Sequence, residues 1–549
     1  MKKQLIVLSA AALAFTGSAR ADGGWGRGYD TAAEAQVDAV TGKVDPAFTV
    51  GETVDGYTPP GILDGTGVWR RWGSVLVLVN HELGNDVGYP YMLANGTELT
   101  GARVSSFLFE KSKRRILGAG LAYDAIYNRA GEPVDEASDL EGDGLGRLCS
   151  ARGVARGERG FVSDVFLTGE ETGNGTEWAL DVRRGELWAA PELGRASWEA
   201  VAAVETGNPR TVGLIIGDDE EDAPLYYYEG MKNAKRDGSF LDRNGLAKGQ
   251  LYCWAADDRG LLTPADFNGT GSHASGSWIP LEVRDPAKAG ESGYDELGYL
   301  DGDTLRGSAD DAGCFSFSRP EDVHENPHDP TKVVLASTGR AQLYGGADTW
   351  GTLYVIDVAT GEVSILLDTD DPQFRDFGIR SPDNLVWSGN GKIYVQEDRS
   401  TQLSVPKSEN GCEAAADAEA CRDLAFGGRS KIDASIWAID PSKPLKTALD
   451  LERIAVVNRD AVLPDSQTDT DPLDIGDWET SGILDVTDYF QTGKGETLLL
   501  GVVQAHAVRG GSLGDESALV EGGQIFFLEL GGSRDDHGNK HDGWGRWDD

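Results

Sequence analysis

A unit of apolar strand, polar tip, turn and second strand recurs six times along this 549-residue chain, and that repetition limits the folds open to it. In the clearest copy, residues 165–167 form a short apolar run that ends in Glu170 and Glu171, and a Gly/Asn turn then leads to a second strand over 178–182. The other copies begin at residues 74–82, 212–220, 332–337, 392–398 and 497–506, each followed by a further apolar or aromatic strand. Repeats of this kind belong to arrays in which no unit buries its apolar face alone. Helical periodicity is scarce, and radial closure hides sheet edges without helices. The expected fold is therefore all-β, a six-bladed β-propeller with long inserted loops, filling residues 22–549 as a single domain. The polar segments 236–248 and 407–431 are expected as surface insertions.

Residues 1–21 combine a basic start, a short apolar run and an Ala19-Arg20-Ala21 cleavage pattern, the features of a secretory signal peptide. A periplasmic or secreted location is expected. With 91 acidic against 50 basic residues, the formal net charge is −41. Such a surplus argues against nucleic-acid and anionic-membrane partners, and suits a protein that holds multivalent cations. Five cysteines are too few for a disulfide framework in a chain of this length. Cys412 and Cys421 are expected to pair locally, which leaves at least one thiol among Cys149, Cys253 and Cys314. A monomer is expected.

The tips carry the chemistry. They are Asn80-His81-Glu82, Glu170-Glu171, Asp218-Asp219-Glu220, Arg319-Pro320-Glu321, Asp383-Asn384 with Glu397-Asp398, and Gln504 with His506, and Glu199 lies between the second and third. If these tips meet at one mouth of a channel, so many carboxylates cannot stay ionised together without cations. Hard oxygen ligands suit calcium, with iron or manganese as alternatives. Arg319 offers a fork for phosphate or carboxylate, and Glu321, two residues on, is placed to ligate a metal beside it. The chain has no G-x-S-x-G, H-E-x-x-H or G-x-x-x-x-G-K-[ST] pattern, so serine-triad and P-loop chemistry have no support.

Taken in order, Asn80-His81-Glu82, the strand ending Thr168-Gly169-Glu170-Glu171, Arg195 with Glu199, Arg319-Pro320-Glu321 and Asp383-Asn384 with Asp398 resemble the PhoX-type alkaline phosphatases. The resemblance implies an exported six-bladed propeller that hydrolyses small phosphate monoesters with a cluster of calcium and iron ions. It implies that Arg319 and Asn80 act in catalysis and that Glu82, Glu199, Glu321, Glu170 and Asp398 hold metal. At one position the chain departs from the pattern: the family tip reads Thr-Cys-Glu-Glu, its cysteine helping to hold iron, where this chain has Gly169. Two other functions fit the same acids, a non-catalytic calcium-binding propeller and a metal-dependent propeller esterase or lactonase.

Overall fold

The computed structural model describes residues 28–233, 238–340, 343–373, 377–398, 433–464, 466–472, 474 and 476–531. The signal-like segment 1–21, the pair Cys412 and Cys421, and the segment 407–431 lie outside these residues. The described chain is nearly all β. From its inner to its outer strand, the first sheet runs Leu63–Arg71, Ser74–His81, Arg103–Glu110, Ile116–Leu121. The second starts from Leu148–Val154, the third from Arg195–Val204, the fourth from Pro320–Asn326, the fifth from Pro382–Trp387 and the sixth from Glu479–Asp485. Each of these six inner strands packs against the inner strands of the sheets before and after it, and Glu479–Asp485 packs against Leu63–Arg71.

The apolar alternation explains why the sheets stack. In the first sheet Val75, Val77 and Val79 face one core, while Leu78 and Val104 face another. In the fourth, Val333 and Leu335 point into one core and Val334 and Ala336 into the next. A strand buried on both faces cannot stand at a solvent boundary, and each Val or Leu so covered contributes about 1.5–3 kcal/mol. The two ends of the described chain meet in the sixth sheet, where Lys43–Thr49 pairs antiparallel with Gly522–Leu530.

Two local expectations need correcting. The turn expected between two strands after Glu171 is absorbed into one long strand, Val165–Asp181. Its first half pairs with Leu148–Val154 and its last residues with Glu186–Ala189. Glu171 and Thr176 meanwhile pair with the start of Arg195–Val204, which joins the second and third sheets. The glycines let the strand shift register there without ending it. The second correction concerns 236–248, whose described part is no polar insertion. Ser239 caps a short helix, Phe240–Asn244, that buries Phe240 and Leu241, so its apolar residues outweigh its charged ones.

Cys253 and Cys314 form a disulfide that closes a loop with a sequence separation of 61 and ties the third sheet to the segment after helix Gly302–Asp311. A loop of that length removes appreciable entropy from the unfolded chain, so the double variant Cys253→Ser, Cys314→Ser should lose about 2–4 kcal/mol. Urea denaturation of the oxidised protein and the variant measures the difference.

Candidate functional site

Five of the six sheets open with the same local device. The inner strand pairs once with its neighbour, at Leu63↔His81, Leu148↔Glu170, Trp198↔Asp218, Pro320↔Ser337 and Pro382↔Glu397, and then carries a bulge before pairing resumes. A bulge re-aims the side chain it contains. The residues so placed are Asp64, Cys149, Glu199, Glu321 and Asp383. On the partner strand the residue just beyond the same pair is Glu82, Glu171, Asp219, Thr338 or Asp398. In all five sheets its backbone N–H donates to the carbonyl two residues before the bulge side chain, on Ile62, Arg147, Ser197, Arg319 and Ser381, at 2.8–3.0 Å. Apart from Thr338, whose hydroxyl donates to the Pro382 carbonyl, backbone hydrogen bonding thus brings two such side chains per sheet toward one place.

These side chains meet. Asp64, Glu82 and Cys149 offer ligand atoms within 4.8 Å of one another, and so do Cys149, Glu171 and Glu199. The Cys149 sulfur lies 3.3 Å from an Asp64 oxygen and 3.0 Å from a Glu199 oxygen, within reach of its one S–H for either, and Gln504 Nε2 donates to Asp64 at 2.7 Å and to Glu82 at 3.2 Å. Burial pushes the carboxyl groups of Asp64, Glu171, Glu199, Glu321, Asp383 and Glu479 well above the usual carboxylate range, and their charges on one another add to the shift. Burial, with Asp64 and Glu199 alongside, likewise raises the Cys149 thiol.

Two guanidinium groups border the acids. Arg319 clasps Asp219 through Nε at 2.7 Å and Nη2 at 3.0 Å, and reaches Glu321 at 2.6 Å and Asp398 at 3.8 Å. Although burial would raise Asp219, the Arg319 charge and hydrogen bonds outweigh it and hold the carboxylate at about 2. Arg147 bridges Glu82, at 2.6 Å, and Glu171.

Of the residues singled out in the sequence, Glu82, Glu199, Glu321, Asp398 and Arg319 come together here. Asn80 stands at the edge: its amide nitrogen is committed to the Cys149 carbonyl at 2.5 Å and the Thr168 hydroxyl at 2.8 Å, while its buried Oδ1 has no hydrogen-bond partner. Glu170 faces elsewhere. Both of its oxygens accept backbone N–H groups, from Gly146 at 3.0 Å and Thr176 at 3.2 Å, and it is the next residue, Glu171, that enters the cluster. Alternation along a strand makes that choice, since neighbouring side chains point to opposite faces. His81 is a core histidine held between Gly61 and Ser105. Asp64 and Glu479 also enter the cluster and carry no mark in the sequence, Cys149 is marked there only as a thiol, and Asp219 and Asp383 are marked only as members of tips. A bulge position depends on pairing register, and register leaves no motif.

Residues 184–427 match the family model of alkaline phosphatase PhoX. Over that segment the chain resembles PhoX. The fold agrees: Pseudomonas fluorescens PhoX in complex with vanadate, a transition state analogue, superposes with a TM-score of 0.56 at 16% identity, covering 91% of this chain and 98% of that one. A protein of unknown function from Dyadobacter fermentans shares 8% identity over 90% of this chain and 100% of its own, with a TM-score of 0.34. No curated protein sequence matches the chain.

Set against the PhoX pattern, Gly169 has a steric reason. A Cβ at that position would lie 2.3 Å from Trp198 Cβ and 2.7 Å from the Trp198 carbonyl oxygen. Restoring a cysteine there should overpack the contact between the second and third sheets and destabilise the protein by about 1–3 kcal/mol. A lower melting temperature for Gly169→Cys than for the parent, at equal metal content, checks this.

Proposed function

We propose that this protein is an exported, metal-dependent phosphatase that hydrolyses small phosphate monoesters, and that its six sheets are the blades of one propeller formed after removal of residues 1–21. The observation that carries the proposal is the convergence of bulge and tip carboxylates from five sheets beside two guanidinium groups. The resemblance to PhoX gives that constellation its chemistry.

The donor set fits cations on its own terms. Six buried carboxyl groups with raised pKa values favour protons unless a multivalent cation takes their place, and Asp383 keeps a buried Oδ1 without a hydrogen-bond partner. Oxygen-only groups such as Glu321, Asp383 and Asp398 suit calcium. Cys149, flanked by Asp64 and Glu199, adds the soft donor that a transition ion such as iron prefers, and so stands in for the family cysteine absent at Gly169. When bound, cations there would supply Lewis acidity and neutralise charge on the phosphoryl oxygens.

The chain's own groups do the positioning. Arg319 is placed to hold non-bridging phosphate oxygens, its fork fixed by Asp219 and its backbone by the Thr338 N–H donated to its carbonyl. A phosphoryl transition state asks chiefly for such positioning and charge stabilisation. Asn80 ties the first sheet to the second beneath Cys149. Gln504 orients Asp64 and Glu82.

Two outcomes test this. Bound cations displace protons from groups whose folded pKa is raised, so the stabilisation they give should grow as pH rises through the raised values. The melting-temperature gap between calcium-loaded and EDTA-treated protein should therefore widen from pH 5 to pH 8, and a gap of zero throughout would remove the metal site. With full metal content, Arg319→Ala should lose about 100- to 1,000-fold in kcat on a chromogenic phosphate monoester, the usual cost of one preorganised electrostatic donor.

A further inference from the structure

Arg319 and Arg147 occupy the same place in two different sheets. Each immediately precedes the first paired residue of an inner strand, Pro320 or Leu148, and each lies two residues before a bulge side chain, Glu321 or Cys149. Each has a left-handed backbone, with φ of 65° for Arg319 and 44° for Arg147, a conformation that costs a non-glycine residue of order 1–3 kcal/mol and persists where the surroundings enforce it. Each carbonyl accepts the N–H of the neighbouring tip residue, Thr338 at 3.0 Å and Glu171 at 2.8 Å. The same unit recurs with Ile62 and Ser381 in the left-handed position, and Arg319-Pro320-Glu321 and Arg147-Leu148-Cys149 are the two copies that carry arginine there. Only the first is conspicuous in the sequence.

Their side chains engage neighbouring acids of one cluster. Arg147 pairs with Glu82 and Glu171, while Arg319 pairs with Asp219, Glu321 and Asp398, and the Asp219 charge acts on the Glu171 carboxyl group beside it. The two guanidinium groups thus flank a single carboxylate pair. They differ in access: the Arg147 side chain is 47% exposed, against 11% for Arg319. One fork lies inside the cluster and the other at its open edge.

We infer that Arg147 is a second oxyanion-binding arginine, which with Arg319 grips the dianionic phosphoryl group of a monoester from the solvent side. A monoester has three non-bridging oxygens and a diester two, so a second fork at the open edge favours the former. Arginine suits the task because its planar donors match phosphate bidentately. The assignment rests on the phosphatase reading above, and the experiment separates the two.

Orthophosphate is titrated calorimetrically into the full-length, metal-loaded protein, into Arg147→Ala and into Arg147→Lys, with metal content measured on each sample. Loss of charge-assisted hydrogen bonds should weaken phosphate binding about 10- to 100-fold in Arg147→Ala, with partial recovery in Arg147→Lys and unchanged metal content. In turnover, Arg147→Ala should raise KM for a monoester and narrow the preference for monoester over diester. Parental phosphate affinity in Arg147→Ala overturns the inference and leaves the phosphatase reading standing, as does a variant that loses metal but binds phosphate normally once reloaded. A parent protein that neither binds orthophosphate nor hydrolyses a phosphate ester overturns both.

Discussion

Mutual repulsion among buried carboxylates is the constraint on which the centre of this molecule turns. Asp64, Glu171, Glu199, Glu321, Asp383 and Glu479 are taken out of water and set against one another, and the arrangement is tolerable only with protons, guanidinium groups or cations among them. Arg147 and Arg319 supply part of the compensation. They do not supply all of it, because Asp64 and Asp383 have no ion pair with either. The rest of the fold holds this costly arrangement in place: the strands that carry Glu199 and Asp383 each send apolar side chains into two different cores.

The device that brings the acids together is backbone geometry. A bulge after the first pair of an inner strand turns one side chain inward, and a hydrogen bond from the adjoining tip fixes a second beside it. The sixth sheet places its bulge further along, between Ser481 and Leu484, where Gly482 accepts close contact with Asp64 instead of offering a ligand. The set of bulge positions is thus chemically uneven. Four bulge positions carry carboxylates and one carries Cys149, which concentrates the soft donor beside the second sheet.

Much of this could be read from the chain. The strand-and-tip repeat marked an all-β array, and Arg319-Pro320-Glu321 stood out because its two charges are nearly adjacent. Glu82 and Asp398 are visible as acids at strand ends, and Glu199 through its place after Arg195 in the family-like order. Glu170 and Glu171 are indistinguishable in the sequence as ligands, because nothing in a Glu-Glu pair says which member faces inward. The glycines within Val165–Asp181 predict a break because such residues break isolated strands, whereas pairing on both sides carries the strand through them.

The sequence by itself determined the β character, the acidic surplus and the identity of the donors, because alternation and charge are properties of neighbouring residues. Only the tertiary structure decided which donors share a site. Asp64, Cys149 and Asp383 stand far apart along the chain, and their equivalence depends on where each strand's pairing register slips. The same register made Arg147 the counterpart of Arg319 and gave residue 169 no room for a side chain beside Trp198. Register is set by long-range hydrogen bonds and packing between sheets, and those interactions exist only in the folded chain.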